Sequence, residues 1–274
     1  MRLFPSKFSR RLILAALASS FALLPAQTAP APKSIRVLFI GNSYTYFNNL
    51  PKLVEAIAAA HPDGPRIETQ AVLRGGVTLK THWNDGKALD AIRQGGWDFV
   101  SLQEHSTLGK PPGPGEQPSI NDPADYFEYA VKFNDEIRKI GARTLLYATW
   151  SRDGYPEQQR RLDDAFVRLA RQIDAAIVPV GLAWNIVRIE APGIRLNTPD
   201  RSHPTAAGSY MAALLFYQSI TGRAPTAAPA VISGTAWNSE QRLTLINLSW
   251  SDAMSLRMFA ARAWDQEPLR AKPQ

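Results

Sequence analysis

The chain has 274 residues, of which 45% are hydrophobic and 20% charged, a balance that excludes a disordered polymer and suffices for one sizeable core or two small ones. The formal charge is +7, but Arg2, Lys7, Arg10 and Arg11 sit in the first 11 positions and the remainder carries only +3, so composition gives no support to a nucleic-acid surface. The absence of cysteine excludes disulfides and thiolate chemistry.

In chain order, residues 1–29 read as an export signal. Four cations precede the apolar run Leu12 to Leu24, which is too short to span a bilayer, and small residues follow, with cleavage expected after Ala26, Thr28 or Ala29. Arg10-Arg11 also fits a twin-arginine signal, and either route makes the protein periplasmic or secreted, with no stable membrane span. After the joint "TAPAPKS", strands are predicted over 35–41, 66–73, 98–103, 142–150 and 175–181. Helical patterns lie between them, at 50–61, 79–94, 125–141 and 156–174, the third ending on Gly141. This alternation predicts an α/β sandwich with one parallel sheet, helices on both faces and ligands at the carboxyl ends of the strands. The Pro/Gly-rich stretch 109–123 is expected to loop over that edge. Residues 225–274 are expected to add helices to the domain formed by 34–224.

Ser43, in "VLFIGNSYTYFNNLP", follows the first strand by two residues and precedes a helix. There its hydroxyl projects from the sheet edge and its own N–H can stabilise negative charge, although a capping serine would look the same. Downstream, Asp200 and His203 are three apart in a polar turn, before a helix begun by Pro204 and Thr205 with Ala207, Tyr210, Met211, Leu214 and Leu215 on its buried face. At that spacing the carboxylate can accept from Nδ1–H and leave Nε2 as a general base. A serine needs such a base to become a nucleophile.

The segments "FIGNSYT", "RGGVT", "SLQEHS" and "DRSHPTAAGSYMA" resemble the first, second, third and fifth blocks of the SGNH (GDSL-type) esterase/lipase superfamily, over residues 35 to about 224. The resemblance implies a three-layer α/β/α sandwich with a parallel five-stranded, flavodoxin-like sheet and hydrolysis of esters, thioesters or carbohydrate acetyl groups. It implies Ser43 as nucleophile, His203 as base and Asp200 as its orienter. The oxyanion hole would use the N–H of Ser43, the N–H of Gly76 (Gly75 being the alternative) and the side chain of Gln103, with no cofactor. Two departures stand out: Asn42 replaces the usual aspartate, and Gln103 stands where the family has an asparagine, as in some carbohydrate-acetyl esterases of the superfamily. The substrate implied is a small-molecule or glycan ester; longer acyl esters, acyl transfer to a sugar, or a non-catalytic carbohydrate-binding role are the alternatives.

Other polar and aromatic residues have plainer readings. Glu104 and His105 lack the spacing of a metal site. His82 and Trp83 suit packing or surface, and His61 a helix end. Trp150, Tyr44 and Tyr46 are either core or a sugar-stacking face.

Overall fold

The computed structural model describes Met1 and residues 34–270. The export-signal reading therefore lies outside the described residues. The chain runs β1 (Ser34–Gly41), α1 (Ser43–Tyr46), α2 (Leu50–Ala59), β2 (Arg66–Leu73), α3 (Leu79–Asp85), α4 (Lys87–Arg93), β3 (Phe99–Leu102), α5 (Ala124–Lys139), β4 (Arg143–Tyr147), α6 (Gln159–Ile173), β5 (Ala176–Val178) and α7 (Val180–Glu190). It continues through α8 (Ala206–Thr221), β6 (Val231–Thr235), β7 (Arg242–Asn247) and α9 (Trp250–Gln266).

The first five strands form one parallel sheet in the order β2-β1-β3-β4-β5. Because side chains alternate along a strand, β1 serves two cores. Val37 and Phe39 pack with α2, α7, α8 and α9, whereas Leu38 and Ile40 pack with α3 to α6. Both faces are therefore covered, as a parallel sheet of apolar strands requires. The chain leaves β1 towards β2 and later returns to β3 on its other side, so the loops after β1 and β3 diverge and leave a crevice at their carboxyl ends.

Several elements differ from the sequence expectation, each for a local reason. The single helix expected over 79–94 is two, because Gly86 at φ 77° ends α3 in a left-handed cap and starts α4. The strand expected over 175–181 stops at Val178, and Pro179 leads directly into α7, whose apolar residues pack on the sheet. The strand expected over 142–150 ends at Tyr147.

The expected helical extension is corrected: β6 and β7 form an antiparallel hairpin before the one helix α9. The hairpin and α9 cover the outer side of α8. That cover explains why α8 is buried on nearly all sides rather than on the single face read from its sequence. Among the described residues, no helix is long and apolar enough to cross a membrane.

Candidate active site

The turn after β1 is held by its own asparagine. Asn42 Oδ1 accepts from the Tyr44 N–H at 3.2 Å and caps α1, while its Nδ2 donates to Val77 O at 3.0 Å. An aspartate could make the first bond and not the second, so the departure at this position links the loops after β1 and β2. The Asn42 N–H donates to Gln103 Oε1 at 2.8 Å, which adds the loop after β3. Gly41 makes room for this: a Cβ there would lie 2.6 Å from Gln103 Oε1. Ser43, so placed, is only 7% exposed.

The other half of the site is the turn before α8. Asp200 Oδ1 accepts from Thr198 Oγ1 at 2.7 Å, from the Ser202 N–H at 2.8 Å and from the His203 N–H at 2.9 Å. Its Oδ2 accepts from His203 Nδ1–H at 2.6 Å. Partial burial alone would raise the carboxyl, but the bonds from His203, Ser202 and Thr198 hold it well below the usual carboxylate range. With Nδ1 carrying its proton, Nε2 is left to accept, and it lies 2.8 Å from Ser43 Oγ. Ser43, His203 and Asp200 thus form one hydrogen-bonded relay across 160 positions of sequence.

Aromatic residues, of which the sequence analysis named Tyr44 and Trp150 but not Trp184, hold this turn in place. Tyr44, Trp150 and Trp184 stack in series, with ring centroids 4.4 Å and 3.7 Å apart. The stack donates polar edges to the turn: Trp150 Nε1–H to Ser202 O at 3.0 Å, Trp184 Nε1–H to Asn197 Oδ1 at 3.0 Å, and Tyr44 OH bonded to Ser202 Oγ at 2.8 Å. Trp150 is wholly buried, so of its two readings the structure takes the core one. Phe47 lies flat over the His203 ring, centroids 4.3 Å apart. Asn48 and Asn49 both adopt positive φ, and Asn48 Nδ2 reaches Thr205 O at 3.2 Å and Ser209 Oγ at 2.8 Å. The signal for this latch was the pair of asparagines in "FNNLP", since asparagine tolerates the left-handed region better than most residues.

The N–H groups of Ser43 and Gly76 have no protein acceptor among the described residues, so both are available to an anion. Gly76 is left-handed at φ 67°, a conformation that favours glycine, whereas the Cβ of a residue at Gly75 would meet the Tyr46 hydroxyl at 3.0 Å. Gln103 is oriented differently from a simple donor. Its Oε1 accepts from the Asn42 N–H and from Thr45 Oγ1, and one Nε2 hydrogen goes to Glu104 O, leaving the second without an acceptor among the described residues.

His82 is buried and its Nε2–H donates to Gly41 O at 2.7 Å, supporting the serine turn from below. His61 donates from Nδ1 to Ile57 O and accepts the Ala227 N–H at Nε2, a helix-end role. Among the described residues no group of three or more metal-ligating side chains comes together. Burial lowers the His105 imidazole to about 4, aided by Arg152 and His203 nearby.

Glu104 lies behind Gly76, in the wall of a cavity of about 420 Å³ bounded by Gly76–Thr78 and the Pro-rich loop. Burial pushes its carboxyl up to about 8, against the bonds it accepts from the His105 and Leu79 N–H groups. The folded protein then holds this proton more tightly than the unfolded chain, so its contribution to stability is fully present below the ordinary carboxylate range. It is lost as pH rises towards 8. The difference in unfolding free energy between the parent and Glu104→Gln is expected to fall by about 1.4 kcal/mol per pH unit between those limits. Urea titrations at a series of pH values measure it, and a flat difference would show the carboxyl ionised throughout.

No protein-family model matches the chain, and no curated protein matches it. Solved structures do. A protein from Slackia heliotrinireducens, provisionally described as an SGNH hydrolase, aligns with TM-score 0.54 and 26% identity over 68% of this chain and 98% of its own. By its fold the chain is similar to the SGNH hydrolases. A DUF4886 family protein from Bacteroides uniformis aligns over 88% of this chain and 98% of its own, with TM-score 0.63 and 18% identity. A variant of Axe2, an acetyl xylan esterase from Geobacillus stearothermophilus, aligns with TM-score 0.53 and 18% identity over 69% of this chain and 95% of its own. Of these three, the DUF4886 alignment spans the largest share of this chain.

Proposed function

We propose that the protein is an exported serine esterase that removes a small acyl group, acetyl in the first place, from a carbohydrate. The observation that carries the reading is the Ser43–His203–Asp200 relay at the carboxyl edge of the sheet, with two free N–H groups beside it. Ser43 Oγ attacks the ester carbonyl while His203 Nε2 takes its proton. The carbonyl oxygen becomes an oxyanion, met by the N–H of Ser43, the N–H of Gly76 and the remaining N–H of Gln103. Such a donor is worth on the order of a hundred- to a thousandfold in turnover. His203 then protonates the leaving alcohol, and water, activated by the same imidazole, releases the acid.

Three things favour a short acyl group on a sugar. Ser43 is almost enclosed, Gln103 occupies the position that some carbohydrate-acetyl esterases fill in the same way, and the solved structures of like fold include an acetyl xylan esterase. Export is supported by the leading cations and the apolar run at 12–24. Turnover of p-nitrophenyl acetate against the palmitate ester tests the acyl preference, with acetate expected to be faster by at least about a hundredfold. Equal or faster palmitate hydrolysis would move the assignment to a lipase or thioesterase.

A further inference from the structure

The loop carrying Asp200 has two sides. One presents His203 to Ser43; the other walls a cavity of about 650 Å³, lined by Asn197, Thr198 and Arg201 together with Arg188 and Arg195. Asp153 is the one acidic residue among those lining it. None of the three arginines has a carboxylate partner among the described residues. Arg188 is half-buried, and its guanidinium donates only to Ser151, to Oγ at 3.3 Å and to O at 3.1 Å.

A fourth arginine stands on the catalytic side. Arg152 donates to Ser106 Oγ at 3.2 Å, its buried Nε has no acceptor among the described residues, and Ser106 lies near the hydroxyl of Tyr44, the neighbour of the nucleophile. The two sets are joined by the Asp153 N–H donating to Arg201 O at 2.8 Å.

Four guanidinium groups gather positive charge around one loop, and Asp153 is the one carboxylate lining the cavity. Anions bound among them would offset that charge, and the fork of arginine matches a carboxylate in two hydrogen bonds. We propose that this basic track binds a glycan bearing carboxylates, a uronate-containing chain whose acylated sugar lies at Ser43 while neighbouring carboxylates rest against Arg152 and in the cavity of Arg188, Arg195 and Arg201. The proposal rests on the esterase reading and names its substrate class.

The test is calorimetric titration of the Ser43→Ala protein with an unacetylated oligogalacturonate, beside a neutral xylo-oligosaccharide of the same length. The acidic chain is expected to bind about tenfold more tightly, to weaken steeply with salt, and to lose about tenfold in the Arg188→Gln/Arg195→Gln protein. Equal affinity for the two sugars, salt-independent binding, or an unchanged affinity in the double variant would overturn it. Should the double variant fail to fold, the exposed Arg195→Gln alone and the salt dependence decide. The parent protein is assayed on p-nitrophenyl acetate beside these titrations. A parent inactive on that ester would defeat the esterase reading while leaving the binding result to stand, and an active parent without acidic preference would defeat only this proposal.

Discussion

Replacing Ser43 by alanine is expected to lower kcat on p-nitrophenyl acetate by about a millionfold, leaving only what positioning and the remaining oxyanion donors supply. The argument is chemical: without Oγ no acyl-enzyme forms, and water must attack directly from a place shaped for a serine. The fold should be unharmed. The loss is one oxygen whose hydrogen bond is to His203, and the turn itself is held by Asn42, Gln103 and His82. KM is therefore expected to change little while kcat collapses, and chemical denaturation should give nearly the parent stability. A Ser43→Ala protein that hydrolysed the ester at the parent rate would remove the nucleophile from the account.

Asp200→Asn is expected to cost about ten-thousandfold in kcat with the turn intact. Oδ1 of Asp200 receives three donors, from Thr198, Ser202 and His203, and only an oxygen can accept them. An asparagine must therefore keep its carbonyl oxygen there and turn its NH2 towards His203 Nδ1. The imidazole is then driven into the other tautomer, with its proton on Nε2 facing Ser43 Oγ, where it cannot act as a base. Kinetics with denaturation on the same sample separate this from unfolding: activity lost with stability retained supports the orienting role. Parent-like activity would mean that the 2.6 Å contact between Asp200 and His203 is structural only.

How far the sequence reached can be seen at particular residues. Strand β1, Ser43 and the Asp200–His203 turn were legible because each signal is local: an apolar run, a polar turn and a capping threonine. That the sheet is parallel followed from the alternation of element types. Helix α7 was not legible, since "VPVG" continues the apolar composition of β5 and only Pro179 marks the change. The β6–β7 hairpin was missed because two short strands outside the main sheet have no run long enough to outweigh a helical guess. The orientation of Gln103 depends on where the Asn42 N–H and Thr45 Oγ1 lie, which no spacing reveals. Likewise the stack of Tyr44, Trp150 and Trp184 draws on three distant segments, and each tryptophan alone reads as ordinary core.

The arginines around the His203 loop illustrate a different limit. As sequence they are scattered single charges that leave the body nearly neutral, and they become a track only when α7, the loop after β4 and the turn before α8 meet. A near-zero body charge therefore conceals a local cationic surface around the loop that carries Asp200.

The account stands on Ser43 being activated by His203, and intact-protein mass spectrometry after treatment with a fluorophosphonate measures that directly. One adduct per chain, mapped to Ser43 and abolished in His203→Ala, is the predicted result. A folded protein that hydrolyses p-nitrophenyl acetate yet takes no label at Ser43, or takes it equally well without His203, would contradict it.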